Sequence, residues 1–384
     1  MAKILISAEN FAFGPISKLV TVAERLIENG HELIFVGYGT SYQLGSKLKC
    51  NKIYKLNTDA KYFFKKAKKI FEECDLVLTS GDRSSVLLAQ KIDKPVIWLD
   101  ILFWWWDIIP DYLLNVDLYI QQYSLNNERN IKKYGDKIKN MQTVGPIIDM
   151  RYKNNKAKSQ LLVAFGGMEA KGWYKIGKDS NYPFTISKII TQMVDTSKYE
   201  KVLFVGNEAI TKRLNKKFGN NKFIFKMLPH NKVVKEMAES NDVLIIPGLE
   251  TPLEAFAYYK PVLFLAPSNS SQYVQLDEFR GRKLADKTNS IHFADYYKYK
   301  NLHGKNLRKI MDIFLKELGV YEKDDKALKD TAQRITNYLN MSEKEKNKQV
   351  VNQKKFMKSL GENGLDKTVK LIEKFADKIT ENRS

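Results

Sequence analysis

The sequence predicts an α/β protein of two domains, each a parallel sheet covered by helices, facing a central cleft and followed by extra C-terminal helices. Three observations carry this. Short apolar runs such as KILIS (Lys3–Ser7), HELIFVG (His31–Gly37) and DLVLT (Asp75–Thr79) alternate with stretches whose apolar residues recur at helical spacing. The same alternation starts again at Gln160. The length of 384 residues also exceeds what one hydrophobic core usually serves.

Taken in order, Lys3–Ser7 ends in a loop, and Pro15–Asn29 keeps helical spacing until Gly30 stops it, which makes a βα unit. His31–Gly37 reads as a second strand and Lys61–Glu73 as a basic amphipathic helix. Asp75–Thr79 is a strand, Ser84–Ile92 a helix and Pro95–Leu99 another strand. Strands alternating with helices in this way imply a parallel sheet covered on both faces. After Gln142–Pro146 (QTVGP), the basic stretch Arg151–Ser159 (RYKNNKAKS) has almost nothing to bury. It reads as the linker between a domain at 1–150 and one at 151–384. In the second series, strands are expected at Gln160–Phe165, Lys201–Val205, Lys222–Phe225, Asp242–Ile246 and Pro261–Leu265, with helices around Ser187–Met193 and Lys232–Glu239. From Tyr297 onward the pattern is helical and rich in Lys and Glu, with Glu343–Lys355 the most soluble stretch.

A content of 43% hydrophobic and 28% charged residues excludes a disordered or fibrous chain. Cys50 and Cys74 have neither a CxxC neighbour nor a partner at metal-ligand spacing, which argues against a zinc site or disulfide framework and for a reducing compartment. The start MAKILIS runs straight into a strand pattern without the features of a signal peptide, so the expected location is the cytoplasm. The most apolar segment, Pro95–Ile120, is broken by Asp100, Asp107 and Asp111, which argues against a bilayer crossing. A net charge of +20, from 64 Lys+Arg against 44 Asp+Glu, could attract phosphate-bearing donors, an anionic membrane face or nucleic acid. Because the lysines are spread along the chain, a solvated basic surface accounts for it equally well.

The run Asn241–Tyr273 (NDVLIIPGLETPLEAFAYYKPVLFLAPSNSSQY) reads as a buried strand, a Gly-containing turn, a helix opening with Thr251 and Pro252, then a strand and a loop ending in Gln272. It resembles the donor-binding motif of GT-B glycosyltransferases, particularly the antibiotic and plant-type nucleotide-sugar transferases and the peptidoglycan N-acetylglucosaminyltransferase. In that family a Gly, a Thr three residues on and a Glu three further on are followed, after the next strand, by a Gln; here these are Gly248, Thr251, Glu254 and Gln272. The resemblance implies Rossmann-like domains. The second would bind a UDP- or dTDP-linked sugar as co-substrate, and the first would shape a pocket for a hydroxyl-bearing small-molecule or lipid-linked acceptor, with no metal and no other cofactor.

The chemistry suits the spacing. A helix N-terminus offers unpaired N–H groups and a partial positive charge to a diphosphate, and Pro252 fits a first turn, where its missing donor is harmless. Thr251 is expected as N-cap and phosphate contact, Glu254 as acceptor for both ribose hydroxyls, and Gln272 as a contact to the transferred sugar. The plainer reading is that Thr251 only caps a helix and Glu254 only complements its dipole. Three further pieces agree in order. Gly166 and Gly167, after Phe165, resemble the family's Gly-rich turn near the donor phosphates. Leu228 and Pro229, before His230, resemble the segment whose backbone reads the base, and Val144-Gly145-Pro146 resembles the domain junction. Gly14-Pro15 and the helix after it resemble the opening loop, so the resemblance runs roughly as far as Ala285.

Many relatives carry a His three residues before that Pro as the base that deprotonates the acceptor; here the position is Ala12. The four histidines are His31, His230, His292 and His303, none of them in the opening loop. Carboxylates are the available substitutes, and Glu9 and Asp107 are the candidate catalytic residues, although each could instead be a capping group. A retaining reaction, or an acceptor acidic enough to need no base, would equally account for Ala12. Phe103-Trp104-Trp105-Trp106-Asp107 sets three of the five tryptophans side by side, and adjacent aromatics point in different directions, so not all can be core. Trp104, Trp105 and Trp106 are candidate walls of an acceptor site or an apolar wedge for a peripheral membrane contact; a core and dimer contact is the plainer reading. Asp100, beside this cluster, Gly14 in the opening loop and Asp82 at a helix start complete the acceptor-binding candidates. Nucleotide-sugar hydrolysis, a UDP-N-acetylglucosamine 2-epimerase-like reaction and nucleic-acid-directed transfer are the alternative functions, the last disfavoured as a partner class by the scattered charge.

Overall fold

The computed structural model describes residues 1–125, 127–152, 158–168, 174–291 and 307–381. The expected linker lies largely outside the described residues, as do His292 and His303. The chain forms two compact units, Met1–Asp149 with Leu360–Ser384, and Met150–Ser359.

The first unit holds one sheet of β1 (Lys3–Ala8), β2 (Glu32–Gly37), β3 (Lys52–Lys55), β4 (Leu76–Ser80), β5 (Val96–Asp100), β6 (Leu118–Gln122) and β7 (Met141–Val144). The strand order is β3-β2-β1-β4-β5-β6-β7, parallel throughout. Its helices are α1 (Gly14–Glu28), α2 (Gly39–Gly45), α3 (Phe63–Glu72), α4 (Arg83–Lys91), α5 (Asp111–Leu114) and α6 (Asn127–Tyr134). Alternation along each strand divides the core. Leu5, Ile34, Val36 and Val77 join Phe63, Ala67 and Phe71 of α3, with Val86, Trp98, Phe103 and Tyr119. Ile4, Ile6, Leu33 and Phe35 point the other way, where α1 lays Ile16, Leu19, Val22, Ala23 and Leu26, all fully buried. Each such aromatic or aliphatic side chain taken from water stabilises by about 1.5–3 kcal/mol.

The second unit holds β8 (Gln160–Gly166), β9 (Lys201–Gly206), β10 (Phe223–Lys226), β11 (Asp242–Ile245) and β12 (Val262–Phe264), in the order β10-β9-β8-β11-β12 and parallel throughout. Its helices are α7 (Tyr182–Gln192), α8 (Glu208–Phe218), α9 (His230–Glu239), α10 (Glu250–Ala257), α11 (Ser270–Gly281), α12 (Leu307–Tyr321), α13 (Asp325–Leu339) and α14 (Glu343–Leu360). The helix expected around Ser187 starts earlier, at Tyr182, because Pro183 occupies its first turn. Gln272 lies in the first turn of α11 rather than in a loop. The stretch expected to be most soluble buries one face of α14. Lys346 Nζ lies 2.5 Å from Asp242 Oδ1 at the start of β11, and Phe356 packs edge-on against Phe256 of α10.

The last helix, α15 (Gly364–Glu381), belongs to the first unit. Its apolar face of Leu365, Val369, Ile372 and Ala376 is buried, and it packs on α1, β6 and β7. Asn29 Nδ2 donates to Glu373 at 2.7 Å, and Arg25 Nη1 lies 3.4 Å from Asp366. The expected second domain of 151–384 is therefore too long at its end: the periodicity of α15 marks an amphipathic helix, but nothing local says which unit its apolar face meets. No helix among the described residues is long and apolar enough to cross a membrane.

In both sheets the winding reverses beside the first strand, since β1 lies between β2 and β4, and β8 between β9 and β11. In doubly wound sheets ligands bind outside the carboxyl ends of the strands at such a switch point.

Candidate functional site

In the second unit the residues at the switch point are those leaving β8 and β11. Gly166 turns at φ +64, the left-handed region that favours glycine, and a Cβ there would lie 3.6 Å from Ile246 Cδ1 at the end of β11. Gly167 is buried beside it. Past β11, no atom of the described residues stands within 4 Å of where a Gly248 Cβ would lie, so the turn is open on that side. Leu249 occupies the N-cap position of α10 with helical φ −84 and ψ −53 and makes no side-chain cap. Thr251 is thus the second residue of the helix and not its N-cap, which corrects the expected capping role. Amides in a first helical turn have no acceptor within the helix; Pro252 contributes none, and Leu253 N reaches Leu249 O at 3.4 Å. Glu250, buried, is also in this turn, and its carboxylate occupies the end of the helix dipole that favours anions.

Glu254 is 2% exposed, and its Oε1 lies 3.1 Å from Nε2 of His230. His230 opens α9 directly after Leu228 and Pro229, both half-buried. Pro229 is extended at ψ 147, and its carbonyl accepts from Lys232 and Val233. Gln272 Oε1 accepts from both the amide and the hydroxyl of Ser268, at 2.8 and 2.9 Å. Its carbonyl end is thereby committed to the loop before α11, and its amide nitrogen takes no part in those bonds.

In the first unit the switch point lies between the exits of β1 and β4. Glu9 leaves β1 with its amide bonded to Ser80 O at 3.0 Å. The residue as a whole is exposed, yet burial of its carboxyl, with Asp82 and Asp59 adding repulsion, pushes the pKa from 4.5 up to about 7. Asp82 is buried as the N-cap of α4, accepting from the amides of Ser84 and Ser85 and from Ser85 Oγ at 2.7 Å. Burial pushes its carboxyl up as well, against those hydrogen bonds. Tyr112 faces the same charges: burial raises its hydroxyl, Arg83 opposes the rise, and Glu9, Asp82 and Asp100 add to it.

Asp107 is placed differently. Its side chain is 42% exposed, and its Oδ1 lies 3.4 Å from Arg129. Its carbonyl accepts from Lys133 and Tyr134. Asp100 is buried and holds its own neighbourhood together, accepting from Leu102 N at 2.7 Å, Trp106 Nε1 at 3.0 Å and the Tyr119 hydroxyl. Trp104 is buried edge-on to Trp105, whereas Trp105 and Trp106 are partly exposed. Gly14 is the first residue of α1, and a Cβ on it would lie 3.4 Å from Ile101 Cδ1, so the opening loop and the β5 exit are neighbours. Ala12 sits at φ 44. His31 serves structure, accepting from Ala2 N at 3.3 Å.

The structure therefore collects Gly166, Gly167, Gly248, Thr251 and Glu254 at one switch point, and Glu9 and Asp82 at the other. It leaves Asp107 on an exposed ion pair and Asp100 inside a network. Sequence reasoning missed Asp59 and Tyr112 beside Glu9, and it missed the side chain of His230, for which only the preceding backbone was singled out. No cluster of His, Cys, Asp and Glu suited to a metal ion occurs among the described residues.

No protein-family model matches the sequence, and no curated protein matches it. Among solved structures the chain is similar to Arabidopsis thaliana UGT89C1 complexed with UDP, with a TM-score of 0.56, 10% identity and 99% of each chain covered. It is also similar to Phytolacca americana UGT2 complexed with UDP-2fluoro-glucose and pterostilbene, with a TM-score of 0.55, 11% identity, and 99% of this chain and 100% of that chain covered. At such identities the likeness shows the fold: two Rossmann-like α/β units of the GT-B type.

Proposed function

We propose that this chain is a glycosyltransferase moving a sugar from a UDP- or dTDP-linked donor to a hydroxyl-bearing small-molecule or lipid-linked acceptor. The observation that carries the reading is the placement of Gly248, Thr251 and Glu254 beside Gly166 and Gly167 at the β8/β11 switch point. Two solved structures of the same fold hold UDP or a UDP-sugar. On this reading the glycines admit the pyrophosphate to the first turn of α10, Glu254 accepts the ribose hydroxyls, and the amide nitrogen of Gln272 donates to a hydroxyl of the sugar. Leu228 presents backbone to the base, while the carbonyl of Pro229 is already held by Lys232 and Val233.

Glu9 is the proposed general base. With a pKa of about 7 it is partly ionised at neutral pH and still basic enough to take the acceptor's proton. The acceptor oxygen then bonds to the anomeric carbon as the carbon–oxygen bond to the diphosphate breaks, its electron pair leaving on the phosphate. Trp105 and Trp106 offer flat apolar surface to the acceptor. A water-soluble donor suits the cytoplasm, and a lipid-linked acceptor would be met by peripheral contact with a membrane.

Thermal shift and calorimetry with UDP, dTDP, GDP and ADP test the reading, because a ligand of the folded state alone raises its stability by mass action. UDP or dTDP should raise the melting temperature, and Glu254→Ala should abolish the rise without unfolding the protein. If none of the four nucleotides shifts it, the donor assignment is wrong.

A further inference from the structure

The loop that leaves β1 is tied to the strand exits on either side of it. On the β4 side, the amide of Glu9 donates to Ser80 O at 3.0 Å, and Gly81 leaves the room that the Glu9 carboxyl fills. On the β2 side, Asn10 turns to the start of α2, where its Oδ1 accepts from the amide of Thr40 at 2.8 Å and from the Thr40 hydroxyl at 3.0 Å. An amide in a first helical turn has no acceptor within its helix, so Asn10 supplies one to α2 from a different loop. Gly39 makes the contact possible: it holds φ at +58, and a Cβ on it would lie 2.1 Å from Asn10 Oδ1. The anchor is rigid. Thr40 and Ser41 are buried, Ser41 Oγ donates to Tyr38 O at 2.8 Å, and the ring of Phe35 stands where side chains on Gly37 and Gly45 would be.

Glu9 as a whole is exposed, so the setting of its carboxyl depends on the course of the loop. Further along that loop Ala12 keeps φ at 44, a left-handed value that persists only where the surroundings hold it. We infer, resting on the reading of Glu9 as the base, that Asn10 is a positioning residue: its clamp on Gly39 and Thr40 holds the loop so that the Glu9 carboxyl stays against Gly81. Asn10 acts through Glu9 and not on the reacting atoms. Without the clamp the loop relaxes, and the carboxyl turns out to water.

NMR of isotope-labelled glutamate carboxyls on the full chain reads the titration of Glu9 directly, with Glu9→Gln assigning its resonance. In the wild type it is expected at about 7. Asn10→Ala should bring it down toward the ordinary 4.5, because the carboxyl gains water. Asn10→Asp keeps Oδ1 for both donors and adds a charge, so the value should stay at or above that of the wild type. Asp82, Asp59 and Tyr112 face Glu9 in every variant, with Arg83 beside Tyr112, so they cancel from the comparison. Release of UDP from UDP-glucose, with water as acceptor, gives the rate. Measured well above the titration of Glu9, it should slow about 10–100-fold in Asn10→Ala and not in Asn10→Asp. A merely structural Asn10 would lower the melting temperature and leave the titration in place. If Asn10→Ala does not fold, Thr40→Val, which keeps the amide and removes the hydroxyl, should lower the value part of the way. A Glu9 that titrates in Asn10→Ala or Thr40→Val as it does in the wild type, or a drop that Asn10→Asp shares, overturns the inference and leaves the donor reading intact. A titration that moves as expected while Glu9→Gln leaves UDP release unchanged keeps the clamp and removes Glu9 as the base.

Discussion

A Cβ on Gly81 would lie 3.0 Å from both the Cβ and the Oε2 of Glu9, so the exit of β4 is shaped around that carboxylate. Gly81 also holds φ at +74, where a side chain is strained whatever the space. Gly81→Ala should therefore do two things at once. It should cost about 1 kcal/mol or more in stability through the backbone, and it should displace the proposed base, lowering kcat further than the stability loss explains. Urea unfolding and transfer kinetics read the two separately. A variant that loses stability but keeps kcat would place the base elsewhere.

Glu9 makes opposite pH predictions for rate and for stability. As the base it must be ionised, so kcat should rise with pH through about 7, and Glu9→Gln should abolish that limb and cost about 10²–10⁴ in rate. For stability, the folded chain keeps the proton up to about 7, while the unfolded chain releases it near 4.5. The contribution of the protonated group is thus fully present below the unfolded value and is lost as pH rises through the folded one. Glu9→Gln should melt above the wild type at about pH 8 and level with it at about pH 4. Equal differences at both would remove the raised pKa.

What was legible in the sequence followed from whether a signal is local. The strands flanking the switch points are unbroken apolar runs, and their ends carry the glycines and the Glu254 helix at fixed spacing, so the donor-side candidates could be proposed from the motif they resemble. β3 escaped notice because it is a four-residue edge strand whose alternation, KIYK, leaves most of it exposed. β6 escaped because Gln121 and Gln122 are buried polar residues that break an apolar run. α6 (NERNIKKY) buries two asparagines and a tyrosine, which no hydrophobic period detects. The site contacts that went unseen are tertiary. His230 and Glu254 come together only when α9 and α10 are packed, and Asp100 becomes a network centre only once Tyr119, one strand later, lies beside it.

The buried pair of Lys346 and Asp242 joins α14 to the start of β11. Tyr199 donates to the other carboxylate oxygen at 2.5 Å, and Lys198 lies 3.7 Å away. Removing one partner of a buried ion pair strands the other charge, which costs about 3–5 kcal/mol when nothing replaces it. Lys346→Met should cost about 3 kcal/mol, toward the lower end, because Tyr199 and Lys198 remain. Lys346→Met combined with Asp242→Asn should recover part of the loss, as a charge is no longer left buried. Chemical denaturation of the three variants measures the cycle, and a loss in the double variant equal to the sum of the two single losses would show that the two residues are not coupled.

Glu250 tests where the pyrophosphate docks. It lies in the first turn of α10, where its carboxylate already occupies the favourable end of the helix dipole. A diphosphate brought to the same turn meets that charge, and two like charges some 6 Å apart at a partly shielded site repel by roughly 1–3 kcal/mol. Glu250→Gln should therefore tighten UDP by about tenfold, since 1.4 kcal/mol corresponds to one decade. Uridine, which has no phosphate, should bind it no better than it binds the wild type. The same substitution gives up about 0.3–1 kcal/mol of helix-dipole interaction, so the apo protein should melt slightly lower while holding UDP more firmly. That combination, weaker fold and stronger phosphate binding, is difficult to obtain by any general disturbance of the unit. Parallel changes in uridine and UDP, or no change in either, would move the pyrophosphate away from α10.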